Sequence, residues 1–377
     1  MARGLLVTSS FLPGRGGIES YLAELCEMVA PELAVIAPPR RDGVPLPTDL
    51  PYATFPFGRK VPWPSSAARD EIVRAAGELG VDRVLFGTPW PLILLGPALR
   101  EAGLRYASII HGAELIGPAA VPLLRRRLAS AVAGADLLLP VSRYTATKVE
   151  GFLARSGSKV PAMTLLRARV DLERFRCAGD RRVTRAEVDL PVDAKIVLSF
   201  GRLVPRKGND RLIEAMPRIR KRVPDAVLVI AGTGPESRRL ERLARRHGET
   251  VLFTGRVPDH EAPAVYASAD VFALAVRDRW FGLEIEGLGV VLLEAGASCV
   301  PAVTGRSGGT PEAVIDGETG FVVDDGDKDA LVNRIADLLE DPERARAMGR
   351  AAREHVEGTF SGQDLPDPLS GWLGIRS

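Results

Sequence analysis

The 377 residues carry 50 Lys and Arg against 48 Asp and Glu, a formal net charge of +2, with 46% hydrophobic and 26% charged residues. That length suits roughly two or three domains; the composition excludes a disordered chain, and the balanced charge leaves no global nucleic-acid footprint. The three cysteines, Cys26, Cys177 and Cys299, are far apart; they imply neither metal spacing nor a disulfide framework, and reduced thiols in a cytoplasmic protein are expected.

The chain starts with "MARGLLVTSSFLPG", which lacks the apolar core of a signal peptide. Its strand, "GLLVTSS" (4–10), runs into "FLPGRGGIESYLAEL". Gly14, Gly16 and Gly17 let a backbone approach a ligand closely, and the helix that follows presents free N–H groups. The spacing is not G-x-G-x-x-G, so no dinucleotide fingerprint is present, and an ordinary tight turn is the plainer reading. Further strands are expected at 33–39, 83–88, 106–112 and 137–142, with helical patterns between them. "PWPLILLGPAL" (89–99) is apolar but broken by prolines, and no run reaches the ~18 residues that cross a bilayer.

His111 ends the strand "YASII" and precedes Gly112. At the carboxyl end of a strand it can hydrogen-bond a sugar hydroxyl; a structural histidine is equally consistent. "VPLLRRRLASAVAGADLL" (121–138) sets Arg125, Arg126 and Arg127 beside Leu123, Leu124 and Leu128. On a helix this is either an interfacial pattern, giving a peripheral membrane contact, or a core face backed by a solvated one.

The second half repeats the rhythm, with strands expected at 195–202, 226–234, 251–257, 271–276, 300–305 and 320–325. Continuous apolar strands separated by amphipathic helices imply buried parallel sheets. The fold class is therefore α/β, two Rossmann-like doubly wound domains facing across a cleft, where the carboxyl ends of both sheets gather ligands. The charged segment 174–194 is the expected boundary, giving domains over 1–175 and 190–358, with a tail over 359–377 that can pack back on the first.

"SFGRLVPRKGNDRLIEAM" places Arg202 and Lys207 five apart between a strand and a helix. A planar guanidinium fork and a compact ammonium there can clamp a diphosphate, although a solvated basic loop looks the same in isolation. Arg238, Arg239, Arg242, Arg245 and Arg246 read as a solvated helix face. "EIEGLGVVLLEA" (284–295) holds two carboxylates, Glu286 and Glu294. Eight residues apart on a helix they would lie about 80° apart and about 12 Å along the axis, too far to share a proton. Gly287 and Gly289 disfavour a helix there. The expected geometry has Glu286 in a loop, a helix starting near Val290, and Glu294 about one turn in. Such a pair can hold two points of an extended, hydroxyl-rich ligand.

Taken together, "GRLVPRKG", "VIAGTGPE", "FTGRV", the E-x7-E pair and "GGTPEAVIDGETGFVV" resemble the family-4 retaining glycosyltransferases, which have the GT-B fold. The resemblance implies that Glu286 contacts the donor sugar and Glu294 the ribose of the nucleotide. It implies a diphosphate-binding pair in Arg202 and Lys207, a glycine loop in Gly16 and Gly17, and an active-site histidine in His111. It further implies that Arg256 and Val257 meet the base, and that Gly287, Leu288 and Gly289 line the donor site. Retention at the anomeric carbon and catalysis without a metal follow from the same likeness. "GLEIEGLGVVLLEA" is similar to the actinobacterial mannosyltransferases of the phosphatidylinositol mannoside type, which implies a GDP-sugar rather than a UDP-sugar donor. The acceptor is then a hydroxyl on a lipid head group or a small molecule, reached in the cytoplasm or at the inner face of the membrane. Two features depart from the family: "RARVD" (167–171) puts Arg169 where many members have glycine, and Pro366 and Pro368 interrupt the closing helix. A nucleotide-sugar binding protein without turnover, or a sugar-nucleotide epimerase, are the competing functions.

Overall fold

The computed structural model describes the chain except residues 1, 15, 42, 60–62, 113–114, 116–120, 281–283, 363 and 376–377, together with the side chains of Leu123 and Glu249. The chain divides into two compact units, Met1–Ala168 with Gln363–Ser377, and Arg169–Gly362.

The first unit is built on seven strands: β1 (Gly4–Val7), β2 (Leu33–Ala37), β5 (Thr54–Pro56), β6 (Arg83–Phe86), β7 (Arg105–Ile110), β8 (Leu137–Pro140) and β9 (Ala162–Met163). They pair in the order β5-β2-β1-β6-β7-β8-β9, all parallel. Leu5, Leu6, Val7, Val84, Leu85 and Phe86 are fully buried, as expected of strands covered on both faces. Each such side chain contributes about 1.5–3 kcal/mol by leaving water. A small antiparallel ladder, β3 (Arg40–Arg41) with β4 (Val44–Pro45), stands apart. The tail helix Asp367–Leu373 joins this unit: Trp372 donates its indole N–H to Asp136 at 3.2 Å.

In the second unit β10 (Lys195–Phe200), β11 (Ala226–Ala231), β12 (Val251–Gly255), β13 (Val271–Leu274), β14 (Ala302–Gly305) and β15 (Gly320–Val323) pair in the order β12-β11-β10-β13-β14-β15. All of these pairs are parallel. The strand order reverses between β10 and β13, and in the first unit between β1 and β6. In open parallel sheets the crevice beyond the carboxyl ends at such a reversal is where ligands bind.

The eleven long apolar runs form strands as expected, each starting or ending within a few residues of its expected bounds. β5, β9 and the β3–β4 ladder are too short to leave a periodic signal. The division falls at 168/169, ahead of the segment 174–194. That segment contains a helix, Arg181–Glu187, whose Arg185 is buried and donates to the carbonyls of Ser268 and Ala194 and to Asp270. A single buried guanidinium, not an apolar stripe, anchors it, so its period is polar.

The expectation of three reduced thiols is corrected. Cys177 and Cys299 are disulfide-bonded with Cα atoms 5.0 Å apart, across a sequence separation of 122. Arg353 explains the approach, donating at 2.6 Å to both the Phe175 and the Ala297 carbonyls. Cys26 is the free cysteine, and burial pushes its thiol pKa up.

Candidate functional site

The loop after β10 carries the basic residues. Residues Pro205–Lys207 form a single 3-10 turn that ends at Gly208, where φ is 71°. A Cβ there would lie 1.9 Å from the Ala275 carbonyl oxygen, so only glycine lets this turn lie against the end of β13. Helix Asn209–Arg222 begins immediately afterwards.

The loop after β13 brings up Glu286. Its backbone N–H donates to Ser307 Oγ at 3.1 Å, and that hydroxyl donates to Asp278 Oδ1 at 2.5 Å. The Glu286 carbonyl accepts the Gly309 N–H at 3.1 Å. Gly308, at φ 54°, lies so close that a Cβ would meet this carbonyl oxygen at 1.7 Å. Three loops therefore fix one carboxylate. Its Oε2 receives Lys207 Nζ at 2.9 Å and the Arg206 guanidinium, and both Lys207 and Glu286 are buried. Burial alone would raise the Glu286 pKa; Lys207 and Arg206 outweigh it and hold the carboxyl below its ordinary range. Burial lowers the Lys207 pKa, and Glu286 only partly offsets this.

Gly287, Leu288 and Gly289 continue to the helix Val290–Ala297, which starts behind Gly289 at φ 86°. Leu292 and Leu293 bury its apolar side. Glu294, one turn in, accepts the Tyr266 hydroxyl at 2.5 Å. Here burial raises the carboxyl pKa, and the Tyr266 hydrogen bond, Arg174 and Lys207 offset only part of the rise. The two glutamates of the motif thus sit in separate environments.

The structure brings together Lys207 and Glu286, and it adds Arg206, which the five-residue spacing of Arg202 and Lys207 passes over. Tyr266 is the second addition; lying in "AVYASADVF", it reads in sequence as core. Arg202 is exposed, and among the described residues its side chain has no partner. Arg256 is exposed and Val257 half-buried on the loop after β12. Arg238, Arg239, Arg242, Arg245 and Arg246 are exposed, with Leu240 and Ala244 on the buried side.

In the first unit His111 stands just past β7. Its Nε2 lies 2.8 Å from the Gly87 carbonyl, and its ring meets Tyr21 edge-on at 5.6 Å. Gly16 caps the helix Gly17–Met28; a Cβ on Gly16 would approach the buried Glu19 carboxylate at 2.5 Å, whereas Gly17 has open space. Glu19 accepts the Ser10 hydroxyl at 2.5 Å. In the helix Pro122–Ala133, Arg125, Arg126 and Arg127 are exposed while Leu128 and Ala129 are buried; the Leu123 side chain lies outside the described residues. Among the described residues no group of three or more His, Cys, Asp or Glu is arranged to hold a metal ion. No helix among them is long and apolar enough to cross a membrane.

Two units, each an open parallel sheet whose strand order reverses, define a GT-B fold. Solved structures share it: sucrose-phosphate synthase from Thermosynechococcus elongatus, with TM-score 0.77 at 24% identity over 95% of each chain, and HepE from Anabaena in complex with UDP, with TM-score 0.78 at 19% identity over 99% of this chain and 100% of that one. Residues 180–355 match the family described as glycosyl transferases group 1. The chain is 43% identical over 97% of its length, and 98% of the relative's, to the GDP-mannose-dependent alpha-(1-6)-phosphatidylinositol monomannoside mannosyltransferase of Mycolicibacterium smegmatis. It is 36% identical to the GDP-mannose-dependent monoacylated alpha-(1-6)-phosphatidylinositol monomannoside mannosyltransferase of Corynebacterium glutamicum, over 98% and 97% of the two chains. The chain belongs to the group 1 glycosyl transferases and is a glycosyltransferase.

Proposed function

We propose that this enzyme moves a mannosyl group from GDP-mannose, with retention at the anomeric carbon, to a hydroxyl of a phosphatidylinositol mannoside. The observation that carries the reading is the full-length 43% identity to a relative whose name states that donor and that acceptor. The site supports it. As the bond from the anomeric carbon to the diphosphate oxygen breaks, negative charge grows on the leaving group. Lys207, held on Glu286, and the exposed Arg202 supply positive charge to it. Glu286, already fixed by three loops, is assigned to the sugar, and Glu294 to the ribose hydroxyls. Arg256 and Val257 are assigned to the base, and Gly287, Leu288 and Gly289 to the donor backbone contacts. His111, Gly16 and Gly17 keep the roles the family likeness gives them. The acceptor proton passes to the departing diphosphate, so no separate general base is needed.

Radiolabelled GDP-mannose, UDP-glucose and ADP-glucose, each offered with phosphatidylinositol mannoside or with free inositol, test the reading. Label from GDP-mannose is expected in the lipid extract. Transfer from another donor, or to the soluble acceptor alone, overturns the donor or the acceptor. No metal is assigned to the step, so turnover is expected to survive EDTA; loss restored by a divalent ion overturns that. We place the enzyme at an anionic membrane surface through Arg125, Arg126 and Arg127, each worth roughly 1 kcal/mol. Co-sedimentation with anionic vesicles is expected to fall when all three become serine, and absence of binding at low salt overturns the placement.

A further inference from the structure

Tyr266 sits at the end of the short helix Ala262–Ala267 and is fully buried. Its ring stacks on Phe200 at 4.8 Å and 25°, tilts against Phe272 at 5.6 Å, and meets Phe175 edge-on at 5.7 Å. These partners come from the end of β10, from β13 and from the segment that opens the second unit. A phenylalanine would keep all three contacts, so packing explains the ring and not the hydroxyl. The hydroxyl donates to Glu294 Oε2 at 2.5 Å. Among the described residues the other oxygen of that carboxylate receives no hydrogen bond, and the nearby Ser298 hydroxyl is spent on the Glu294 backbone carbonyl at 2.9 Å. One oxygen is pinned by a donor that three aromatic rings hold still; the other is free to accept.

We infer that Tyr266 is a positioning residue, whose hydroxyl holds Glu294 so that its second oxygen accepts from the ribose hydroxyls of the nucleotide. The inference rests on the assignment of Glu294 to the ribose. A ribose diol offers hydroxyl donors, and a preset carboxylate loses less side-chain freedom on binding than one that must be found among rotamers. The same hydrogen bond favours the ionised carboxylate. The charged and titratable groups that act on Glu294 are Tyr266, Arg174, Lys207 and Asp259, the last opposing ionisation along with burial. Burial and the neighbouring Glu294 raise the Tyr266 pKa well above its ordinary value, so the phenol stays a donor. Removing the hydroxyl removes one of the interactions that hold the carboxyl ionised, and donor binding should then fail at a higher pH.

The test uses the full chain with Tyr266→Phe, Glu294→Ala and the double variant. Calorimetry with GDP and with 2′,3′-dideoxy-GDP is run in each from pH 5 to 8. Tyr266→Phe is expected to weaken GDP about tenfold, because the ribose then meets a carboxylate that is neither preset nor as fully ionised. It should raise the donor KM with kcat within about threefold, narrow the GDP-to-dideoxy ratio, and move the acid limb of binding upward. Comparing the two nucleotides within one variant cancels any loss of folded protein. In Glu294→Ala the ratio should collapse, and adding Tyr266→Phe should change nothing further. If Glu294→Ala weakens GDP but Tyr266→Phe keeps the wild-type ratio and pH limb, the positioning role is wrong. If Glu294→Ala itself leaves GDP binding intact, the ribose assignment fails first.

Discussion

Glu286 and Glu294 lie eight residues apart and meet opposite surroundings. Glu286 is buried against an ammonium and a guanidinium, which hold its carboxyl ionised below the ordinary range. Glu294 has a tyrosine hydroxyl as its hydrogen-bonding partner, and burial raises its carboxyl pKa. The difference comes from which strand ends reach each residue. The loop after β10 delivers two cations to Glu286, while the aromatic cage around Tyr266 delivers a neutral donor to Glu294. A charge-bearing pocket suits phosphate and sugar; a half-satisfied carboxylate suits a diol.

The largest effect is expected where the cations are removed. Lys207→Ala should lower kcat about 100–1000-fold, the range seen when one preset donor to a developing negative charge is lost. Steady-state kinetics check this, and a change confined to KM would make Lys207 a ground-state binder only. Next in size, Glu294→Ala should weaken donor affinity by about 1.5–3 kcal/mol, as for a hydrogen bond to a charged group. Calorimetry with GDP reads it, and kcat at saturating donor should move much less, which would separate the two glutamates cleanly.

Arg202→Ala should act on the same step as Lys207 but more weakly, about tenfold in kcat, because this guanidinium is exposed and water screens it. An effect as large as that of Lys207→Ala would mean that donor binding buries Arg202. The smallest expected effect is on stability against pH. The folded pKa of Glu286 is depressed. Its contribution is therefore present above the unfolded carboxylate value of about 4.3 and lost as the pH falls through the folded one. Urea melts of Glu286→Gln should show a flatter acid limb than the wild type. An unchanged limb would mean that Lys207 and Arg206 do not favour the charged carboxylate.

Much of this site is written locally. Gly289 followed by the apolar run from Val290 to Leu293 is enough to end a loop and start a helix, and it places Glu294 one turn in. Arg206 is a different case. It stands beside Lys207 in "GRLVPRKG", yet its value depends on Glu286, 80 residues away. Tyr266 meets Glu294 across 28 residues, and an aromatic in an apolar helix carries no mark of a functional hydroxyl.

By itself the sequence determined the eleven long strands, the two parallel sheets, the helix start at Val290 and the loop position of Glu286. These follow from hydrophobic period, glycine conformation and β-branched runs, all of which act over a few residues. Only the tertiary structure decided that Arg206 joins Lys207 on one carboxylate, that Tyr266 holds the other, and that Cys177 meets Cys299 across 122 residues. It also drew the two short edge strands β5 and β9 into the first sheet and set the division at 168. Each of these contacts and strand pairings joins segments distant in sequence within a single unit, and no local pattern encodes a partner that the chain meets only on folding.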